Sequence, residues 1–336
     1  MNYNYNTMGK IVTIGEVYFV ATTIDKLKFE QSAMLGFTFK GSEMSVAASL
    51  SKFGVSVSHI TAVSDDILGE AAVAWMTHYG VDVSFVKKNK LPIPMCFVEE
   101  GIGIRSSRVA TMSLQTAFES LDPKLLDWSK IFQGCSWIFW SSASVNDKLS
   151  DTIKAGLDIA ELKGVNVLAD LSLHNPSGLP WFNENKEWTK LLSISSTVIC
   201  GVKEMNLLLG NHFGYDKDAF IDSCLSLTKE YPEIINIFDK ITIGSKCYGR
   251  AFVGGQYFET KEFEIGTVLE NNGTAEAFSA ALLYALRYYD EQQALNFATA
   301  SYALKHTIYG DYNTASVDEV LRVLVAKDNK NTHGAI

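Results

Sequence analysis

The sequence predicts an α/β fold with a mostly parallel central sheet, helices on both faces of that sheet, and a small separate β-sheet. Along the 336 residues, short β-branched runs alternate with longer amphipathic segments. This alternation is typical of parallel sheets built from strand–helix units. The stretch from Val81 to Phe118 breaks the alternation, because it holds several strand-like runs and no helical pattern. We therefore expect one domain over residues 1–336, with the strands of the small sheet within about 16–40 and 94–113.

The first half of the chain opens with a buried strand and continues in strand–helix pairs. The apolar run Lys10–Ile14 predicts the first strand. A helix is predicted from Ser45 to Phe53, since Val46 and Leu50 recur at helical spacing and Gly54 is a typical C-terminal residue. The other elements predicted in this half are strands at Phe37–Lys40, Ser58–Val63, Trp137–Trp140 and Asn166–Asp170, and helices at Leu68–Tyr79 and Lys148–Leu162.

The second half of the chain ends in helices. The strongest helical pattern covers Ala275–Tyr289, where Phe278, Leu282, Leu286 and Tyr289 fall on one face. The other elements predicted in this half are strands at Thr197–Cys200 and Ile241–Gly244, and helices at Lys203–Leu209, Gln292–His306 and Val317–Ala326.

The small sheet is predicted from short runs that lack helical periodicity. They are Ser84–Lys87, Met95–Glu99 and Arg108–Met112, and Glu16–Thr23 is a further candidate. The glycines of Gly101-Ile-Gly103 predict a hairpin between two of these runs. A sheet beside an α/β core is a candidate lid or subunit contact.

Composition and charge exclude several classes of protein. Hydrophobic residues make up 47% of the chain and charged residues 20%, which is ordinary for a globular protein. The net charge of −9 argues against a nucleic-acid partner, because such proteins usually carry a basic face. The longest apolar run stays below 18 residues, so we expect no membrane-spanning segment.

The cysteines and histidines suggest neither a disulfide framework nor a metal site. The five cysteines, at positions 96, 135, 200, 224 and 247, include no C-x-x-C pair, and the six histidines are scattered. Free thiols in a reducing compartment are the simplest interpretation, so we expect a cytoplasmic protein.

The turn that precedes the strongest helix is the best candidate for a ligand site. The chain has neither a dinucleotide-binding Gly-x-Gly-x-x-Gly between strand and helix nor a phosphate-binding P-loop. The turn Glu270–Glu276 instead places small residues at a helix N-terminus, where unpaired N–H groups can bind an anion. Glu276 would then be a carboxylate base. An ordinary helix start with a first-turn carboxylate explains the same residues, and the residues alone favour that simpler interpretation.

Motifs in the same order along most of the chain resemble the ribokinase/PfkB carbohydrate kinases, particularly 2-keto-3-deoxygluconate kinases. Gly273–Ala281 occupies the place of the family's Gly-Ala-Gly-Asp-Ala-Phe-x-Ala-Gly. The other matching segments are Ile11–Glu16, Gly41–Gly54, Val63–Gly69, Gly80–Ser84, Arg105–Val109, Ala117–Pro123, Asp127–Trp128, Ala169–Ser172 and Leu179–Trp181.

The resemblance implies a ribokinase-like fold and phosphoryl transfer from ATP to a sugar hydroxyl. In such kinases an aspartate in the Gly-Ala-Gly-Asp turn takes the hydroxyl proton, the helix N-terminus stabilises the transferred group, and Mg²⁺ shields the phosphates. A β-sheet lid covers the sugar and often pairs subunits. We therefore expect ATP and Mg²⁺ as cofactors, a sugar or sugar acid as substrate, and a homodimer formed through the small sheet. The apolar residues Ile93, Met95, Phe97 and Val98 support that contact.

The residues at the implied catalytic turn differ from the family pattern. The aspartate is replaced by Glu276, whose longer side chain displaces the carboxylate. After Gly273, the family's alanine and glycine become Thr274 and Ala275, which add side chains at the anion site. The dipole of the helix favours the charged form of Glu276, so we expect its ionisation at neutral pH to be easy.

The implied metal and nucleotide positions are also altered. The family's Asn-x-x-Glu, which organises Mg²⁺, falls on Val202 and Met205, neither of which offers a hard oxygen ligand. We therefore expect no metal ligand from the protein. The Gly-x-x-Gly on the ATP side becomes Gly244, Ser245, Lys246 and Cys247.

The implied sugar site has changed as well. A double glycine becomes Lys40-Gly41, and Lys40, Arg105 or Arg108 would have to supply the positive charge that a sugar acid needs. The positions implied to bind substrate are Gly41, Ser45, Arg105, Thr111, Ser113, Asp170, Ser172 and His174.

Two functions fit this pattern. The first is a divergent ATP-dependent kinase for a sugar or sugar acid, with Glu276 as its base and weak or no activity on 2-keto-3-deoxygluconate. The second is a non-catalytic protein with the kinase fold that binds a sugar, a nucleotide or a protein partner.

Overall fold

The computed structural model describes residues 9–112, 115–144, 151–172 and 187–332. In chain order the strands are β1 (Lys10–Ile14), β2 (Tyr18–Thr23), β3 (Leu35–Lys40), β4 (Val57–Ile60), β5 (Ala62–Ser64), β6 (Lys87–Asn89), β7 (Met95–Glu99), β8 (Arg108–Met112), β9 (Cys135–Ser141), β10 (Asn166–Asp170), β11 (Thr197–Ile199), β12 (Asn236–Ile243), β13 (Lys246–Val253), β14 (Gln256–Glu259) and β15 (Phe263–Glu264).

The helices lie between and after these strands. They are α1 (Ser42–Lys52), α2 (Ile67–His78), α3 (Trp128–Ile131), α4 (Asp151–Lys163), α5 (Glu187–Ile194), α6 (Val202–Leu209), α7 (Lys217–Glu230), α8 (Thr274–Ala285), α9 (Glu291–Lys305) and α10 (Val317–Thr332). No helix in these described ranges is both long enough and apolar enough to cross a bilayer.

The central sheet is mostly parallel, as predicted. Its strand order is β14-β13-β12-β11-β10-β9-β1-β4, and β15 pairs with β13. The strands from β4 to β12 in this order pair in parallel, whereas β13 pairs antiparallel with β12, β14 and β15. The carboxyl ends of β1, β9, β10, β11 and β12 therefore meet at one edge, where ligands of such sheets usually bind.

Both faces of this sheet are buried under helices. Alternate residues of β9 point in opposite directions, so Trp137 and Phe139 join one core while Ile138 and Trp140 join the other. The first core packs against α1, α2, α8, α9 and α10, and the second against α3, α4, α5, α6 and α7. Burial on both faces explains why the central strands are almost continuously apolar.

The separate small sheet has four strands in the order β3-β2-β7-β8. The bounds of β7 and β8 match the two predicted runs, and Gly101–Gly103 lies in the predicted hairpin between them. The candidate run at Glu16–Thr23 supplies β2.

The run Ser84–Lys87 does not join this small sheet, so that part of the prediction is wrong. Asp82 Oδ1 accepts hydrogen bonds from the backbone N–H and the hydroxyl of Ser84, which fixes a turn there. The strand begins only at Lys87, and β6 pairs with β5. The strand predicted over Ser58–Val63 is correspondingly divided into β4 and β5 at Thr61.

Other differences concern elements with polar residues inside them. The sequence patterns do not predict α3, α5, α7, β13, β14 or β15, and the predicted start of β12, at Ile241, is five residues late. The predicted start of α1 is also three residues late, and the predicted α8 extends to Tyr289, whereas α8 ends at Ala285. Asp239, in the omitted part of β12, is buried because Arg250 of β13 pairs with it at 2.9 Å. Because charged residues interrupt the apolar pattern of this hairpin, its strands cannot be recognised from apolar residues alone.

Candidate active site

The N-terminus of α8 lies at the carboxyl edge of the central sheet and begins with a tight turn. Gly273 has φ +74°, and a Cβ there would lie 1.9 Å from the carbonyl oxygen of Asp311. Only glycine fits this conformation and this close approach. The hydroxyl of Thr274 donates to the carbonyl of Asn271 at 2.9 Å, so it bonds within the turn. The added Thr274 side chain thus stabilises the turn, while Ala275 is half-buried.

Glu276 lies in the first turn of α8 and contacts the first turn of α1. Its Oε1 accepts a hydrogen bond from the Ser42 hydroxyl at 3.0 Å. Burial raises the pKa of Glu276, and the negative charge of Asp170 raises it further. Hydrogen bonds from the backbone N–H of Glu276 and from Ser42, and the positive charge of Lys240, act in the opposite direction. The helix dipole alone therefore does not determine the pKa of Glu276, because burial acts in the opposite direction. A carboxylate with a raised pKa is better matched to accept a proton near neutral pH.

A buried ionic network at the end of β10 lies close enough to Glu276 to affect the pKa of its carboxyl group. Asp170 Oδ1 accepts from the backbone N–H and hydroxyl of Ser172, and its Oδ2 accepts from the Ser279 hydroxyl at 2.5 Å. The ammonium of Lys240 donates to the Ser172 hydroxyl at 2.6 Å and lies 3.9 Å from Asp170 Oδ2. Asp170, Ser172 and Glu276, three predicted site residues, thus lie in one cluster.

Lys240 is the site residue that the sequence analysis missed. Its side chain is only 8% exposed, and its ammonium lies 5.3 Å from the centre of the Phe278 ring. The residue extends β12 beyond the end of β11, with which β12 pairs in parallel. A single lysine near the end of a strand belongs to no recognisable motif. Its place in the site is therefore known only from the pairing of the strands.

The implied metal position contains no side chains that fit Mg²⁺. Val202 and Met205 are buried in the apolar core on one face of the sheet. The neighbouring Glu204 does carry a carboxylate, and its Oε2 accepts from the Gly201 backbone N–H at the start of α6. The neighbouring Asp239 pairs with Arg250. In the described ranges, no group of three His, Cys, Asp or Glu side chains could hold a metal ion.

The predicted nucleotide residues lie at the exposed tip of a hairpin. Gly244 and Ser245 form the turn between β12 and β13. Lys246 pairs with Glu262 at 2.8 Å and with Glu264 at 3.7 Å. The lysine thus faces two carboxylates on the neighbouring segment.

On the predicted sugar side, Lys40 contacts the loop that packs against the turn before α8, while Arg105 is paired elsewhere. Lys40 ends β3, and its ammonium lies 3.0 Å from Asp311 Oδ1, in the loop that packs against Gly273. Arg105 pairs with Glu99 at 3.4 Å and also donates to the backbone carbonyl of Lys26. The Arg105 guanidinium therefore already has partners near the small sheet.

The other residues of the predicted sugar site that the structure describes lie on α1 and β8. Gly41 is the N-cap of α1, and Ser45 is buried in the first turns of that helix. Thr111 is on β8, where its hydroxyl lies 3.8 Å from Cys96 Sγ. Ser113 and His174 lie outside the described residues.

Two buried carboxylates beside this region were not predicted. Burial raises the pKa of Glu43 to about 7, against the opposing hydrogen bonds of Ser141 and Ser144. Burial also raises the pKa of Glu16 to about 7, although Thr116 donates a hydrogen bond to it. Both acids are therefore poised to change charge near neutral pH.

Comparison with known proteins agrees with this architecture. No family model matches the chain. The 5-dehydro-2-deoxygluconokinase of Clostridium perfringens is 24% identical over 339 residues, which cover 95% of this chain and 94% of that protein. The crystal structure of 2-dehydro-3-deoxygluconokinase from Thermotoga maritima has a TM-score of 0.87 at 24% identity and covers 94% of this chain and 98% of its own. The chain has the ribokinase-like fold.

A further ribokinase-like structure contains ligands. A candidate ribokinase II from E. coli, solved with ATP and Mg²⁺, has a TM-score of 0.78 at 17% identity and covers 95% of this chain and 99% of its own. Homologues and structural neighbours of the chain are sugar kinases, so the resemblance stated from the sequence motifs is confirmed.

Proposed function

We propose that this ribokinase-like protein transfers a phosphoryl group from ATP to a hydroxyl of a sugar or sugar acid. The observation that carries the proposal is Glu276, a half-buried carboxylate in the first turn of α8, at the edge of the sheet where Asp170 and Lys240 also meet. The sugar-kinase homologues support this reaction class.

In the proposed reaction, Glu276 is the general base. Its carboxylate accepts the proton of the sugar hydroxyl while that oxygen bonds to the γ-phosphorus. The bond between the γ-phosphorus and its bridging oxygen breaks, and ADP leaves with the electron pair. Backbone N–H groups in the first turn of α8 would hydrogen-bond the transferring oxygens, and the ammonium of Lys240 would offset part of their charge.

We propose ATP as the phosphoryl donor, on the support of the ribokinase-like neighbour solved with ATP and Mg²⁺. Mg²⁺ would enter with the nucleotide, because the side chains at Val202 and Met205 cannot bind it. The hairpin tip at Gly244, Ser245 and Lys246 stays a prediction for nucleotide contact.

We propose a sugar acid as the substrate, with Lys40 as the partner of its carboxylate. Lys40 is partly exposed and joins β3 to the loop beside the catalytic turn. A substrate carboxylate would replace Asp311 as the partner of this ammonium, whereas Arg105 is already paired with Glu99. Gly41, Ser45 and Thr111 would surround the rest of the sugar.

We also propose a homodimer that forms through the small sheet. Apolar side chains on its two outer strands are exposed, with Phe37 60% and Met112 64% accessible. Of the predicted contact residues, Ile93 cannot contribute, since it is 2% exposed and part of the core, whereas Met95, Phe97 and Val98 are partly exposed. A second copy of the same sheet would bury both strands. Light scattering that gives a monomer mass at micromolar concentration would contradict this.

The second candidate is a non-catalytic binding protein. The side chains at Thr274 and Ala275, and the apolar Val202 and Met205, favour it. A cytoplasmic location stays a prediction based on the five free cysteines.

Ligand binding and turnover separate the two functions. We expect ATP and a sugar acid each to raise the melting temperature, and a coupled assay to detect ADP release that depends on the sugar acid. Binding without ADP release would favour the non-catalytic protein. If the protein neither binds these ligands nor releases ADP, both functions are contradicted.

A further inference from the structure

A buried lysine holds the turn that precedes α8. Lys305, the last residue of α9, is fully buried. Its ammonium donates to three backbone carbonyls, those of Asn272 at 2.8 Å, Ile308 at 3.0 Å and Gly310 at 2.7 Å. An ammonium group has three N–H donors, so all of its hydrogen bonds are satisfied by main chain.

These three carbonyls belong to two segments that meet at the catalytic turn. Asn272 immediately precedes Gly273, and Gly310 immediately precedes Asp311, whose carbonyl oxygen is the atom nearest to Gly273. The ammonium therefore joins the turn at 270–273 to the loop at 308–311. Without it, three buried carbonyls would lose their donor, and two segments would lose the contact that fixes their separation.

The surrounding charges show that this cation lies close to the proposed reaction centre. The acids that face Lys305 are Glu270, Asp311 and Glu276, and each of them opposes the lowering of the lysine pKa by burial. Asp311 also pairs with Lys40 at 3.0 Å. The Lys305 ammonium thus links the anion-binding turn to the loop that contacts the proposed sugar-binding lysine.

We propose that Lys305 is a positioning residue for phosphoryl transfer, which acts by fixing the turn that carries the backbone N–H groups of α8. The inference rests on the proposed function, because it assumes that this turn binds the phosphates of ATP. Displacement of a reacting group by about 1 Å can reduce a rate about a hundredfold. Loss of the lysine should therefore weaken ATP binding and turnover while the sugar site remains formed.

The test compares Lys305→Met with a matched control in the turn between α8 and α9. Arg287 is also a buried cation, and it donates to the carbonyl of Gly9 at 3.1 Å. Arg287→Met removes a buried charge of similar size away from the turn that precedes α8. Affinity for ATP is measured by calorimetry, at a temperature at which thermal unfolding shows both variants to be folded, and kcat and the KM for the sugar acid are measured separately.

We expect Lys305→Met to bind ATP at least tenfold more weakly and to lose kcat at least tenfold, with the KM for the sugar acid within twofold of wild type. Arg287→Met should lower the melting temperature but keep ATP affinity within twofold. If Lys305→Met does not fold, Lys305→Gln keeps a donor group and should show a smaller loss in the same titration.

Three outcomes would overturn the inference. If the folded Lys305 variant binds ATP and turns over like wild type, the inference is wrong and the proposed function stands. If both variants lose ATP affinity equally, the effect is one of general stability and not of position. If the wild-type protein itself gives no heat with ATP, the proposed function fails, and this inference fails with it.

Discussion

Replacement of Gly273 by alanine should disable the catalytic turn far more than it destabilises the fold. The added Cβ would lie 1.9 Å from the Asp311 carbonyl oxygen, so the turn must move by about 1.1 Å to restore a tolerable 3.0 Å contact. A displacement of about that size can cost roughly a hundredfold in rate. The left-handed conformation, with φ +74°, adds about 1–2 kcal/mol of backbone strain for alanine.

A second glycine separates strain from displacement. Gly54, at the end of α1, has φ +78°, and no other described atom lies within 4 Å of its Cβ position. Gly54→Ala should therefore lose about 1–2 kcal/mol of stability and keep its ATP affinity. Gly273→Ala should lose about a hundredfold in kcat/KM for ATP in the coupled ADP-release assay. Equal kcat/KM values for the two variants would refute the reasoning, since the clash would then have no effect on the site.

Four further predictions follow from the same contacts. Glu276→Gln should reduce kcat by about 10²–10⁴-fold, as expected for loss of a general base, with little change in ATP affinity by calorimetry. Lys40→Ala should raise the KM for sugar acids at least tenfold but leave the KM for neutral sugars unchanged. The double substitution Val202→Asn and Met205→Glu should lower the melting temperature and restore no metal binding, because it places polar groups in the apolar core. The raised pKa of Glu43 means that the folded state binds its proton more tightly, so stability should fall as pH rises from about 4.5 to about 7, and Glu43→Gln should reduce that slope in thermal unfolding.

The sequence predicts those strands and helices whose pattern no buried charged residue interrupts. The strands β7 and β8 have their predicted bounds because short strand-like runs on either side of the glycines at 101 and 103 specify a hairpin locally. By contrast, Asp239 and Lys240 interrupt the apolar pattern of β12, and they become compatible with a strand only through Arg250 and Asp170. Those partners lie on other strands, so local sequence cannot reveal them.

The candidate site could be located from sequence but not described from it. The turn before α8 was predicted from its motif, and the structure brings Glu276, Asp170 and Ser172 together there. The direction of the Glu276 pKa could not be predicted, because burial depends on α1 and β10, which are distant in sequence. Glu204, one residue before Met205, does not face the same way as Met205, because helical side chains change direction by about 100° per residue.

The central claim is that Glu276 is the base of a sugar kinase. Sugar-dependent ADP release by the wild-type protein and by Glu276→Gln, measured between pH 5 and pH 9 with 2-keto-3-deoxygluconate and related sugar acids, tests it most directly. We expect ADP release by the wild type to decline as the pH falls and Glu276 becomes protonated, and we expect Glu276→Gln to lose most of that release at every pH. Equal release by the two proteins, or no release by the wild type with any sugar acid, would contradict it.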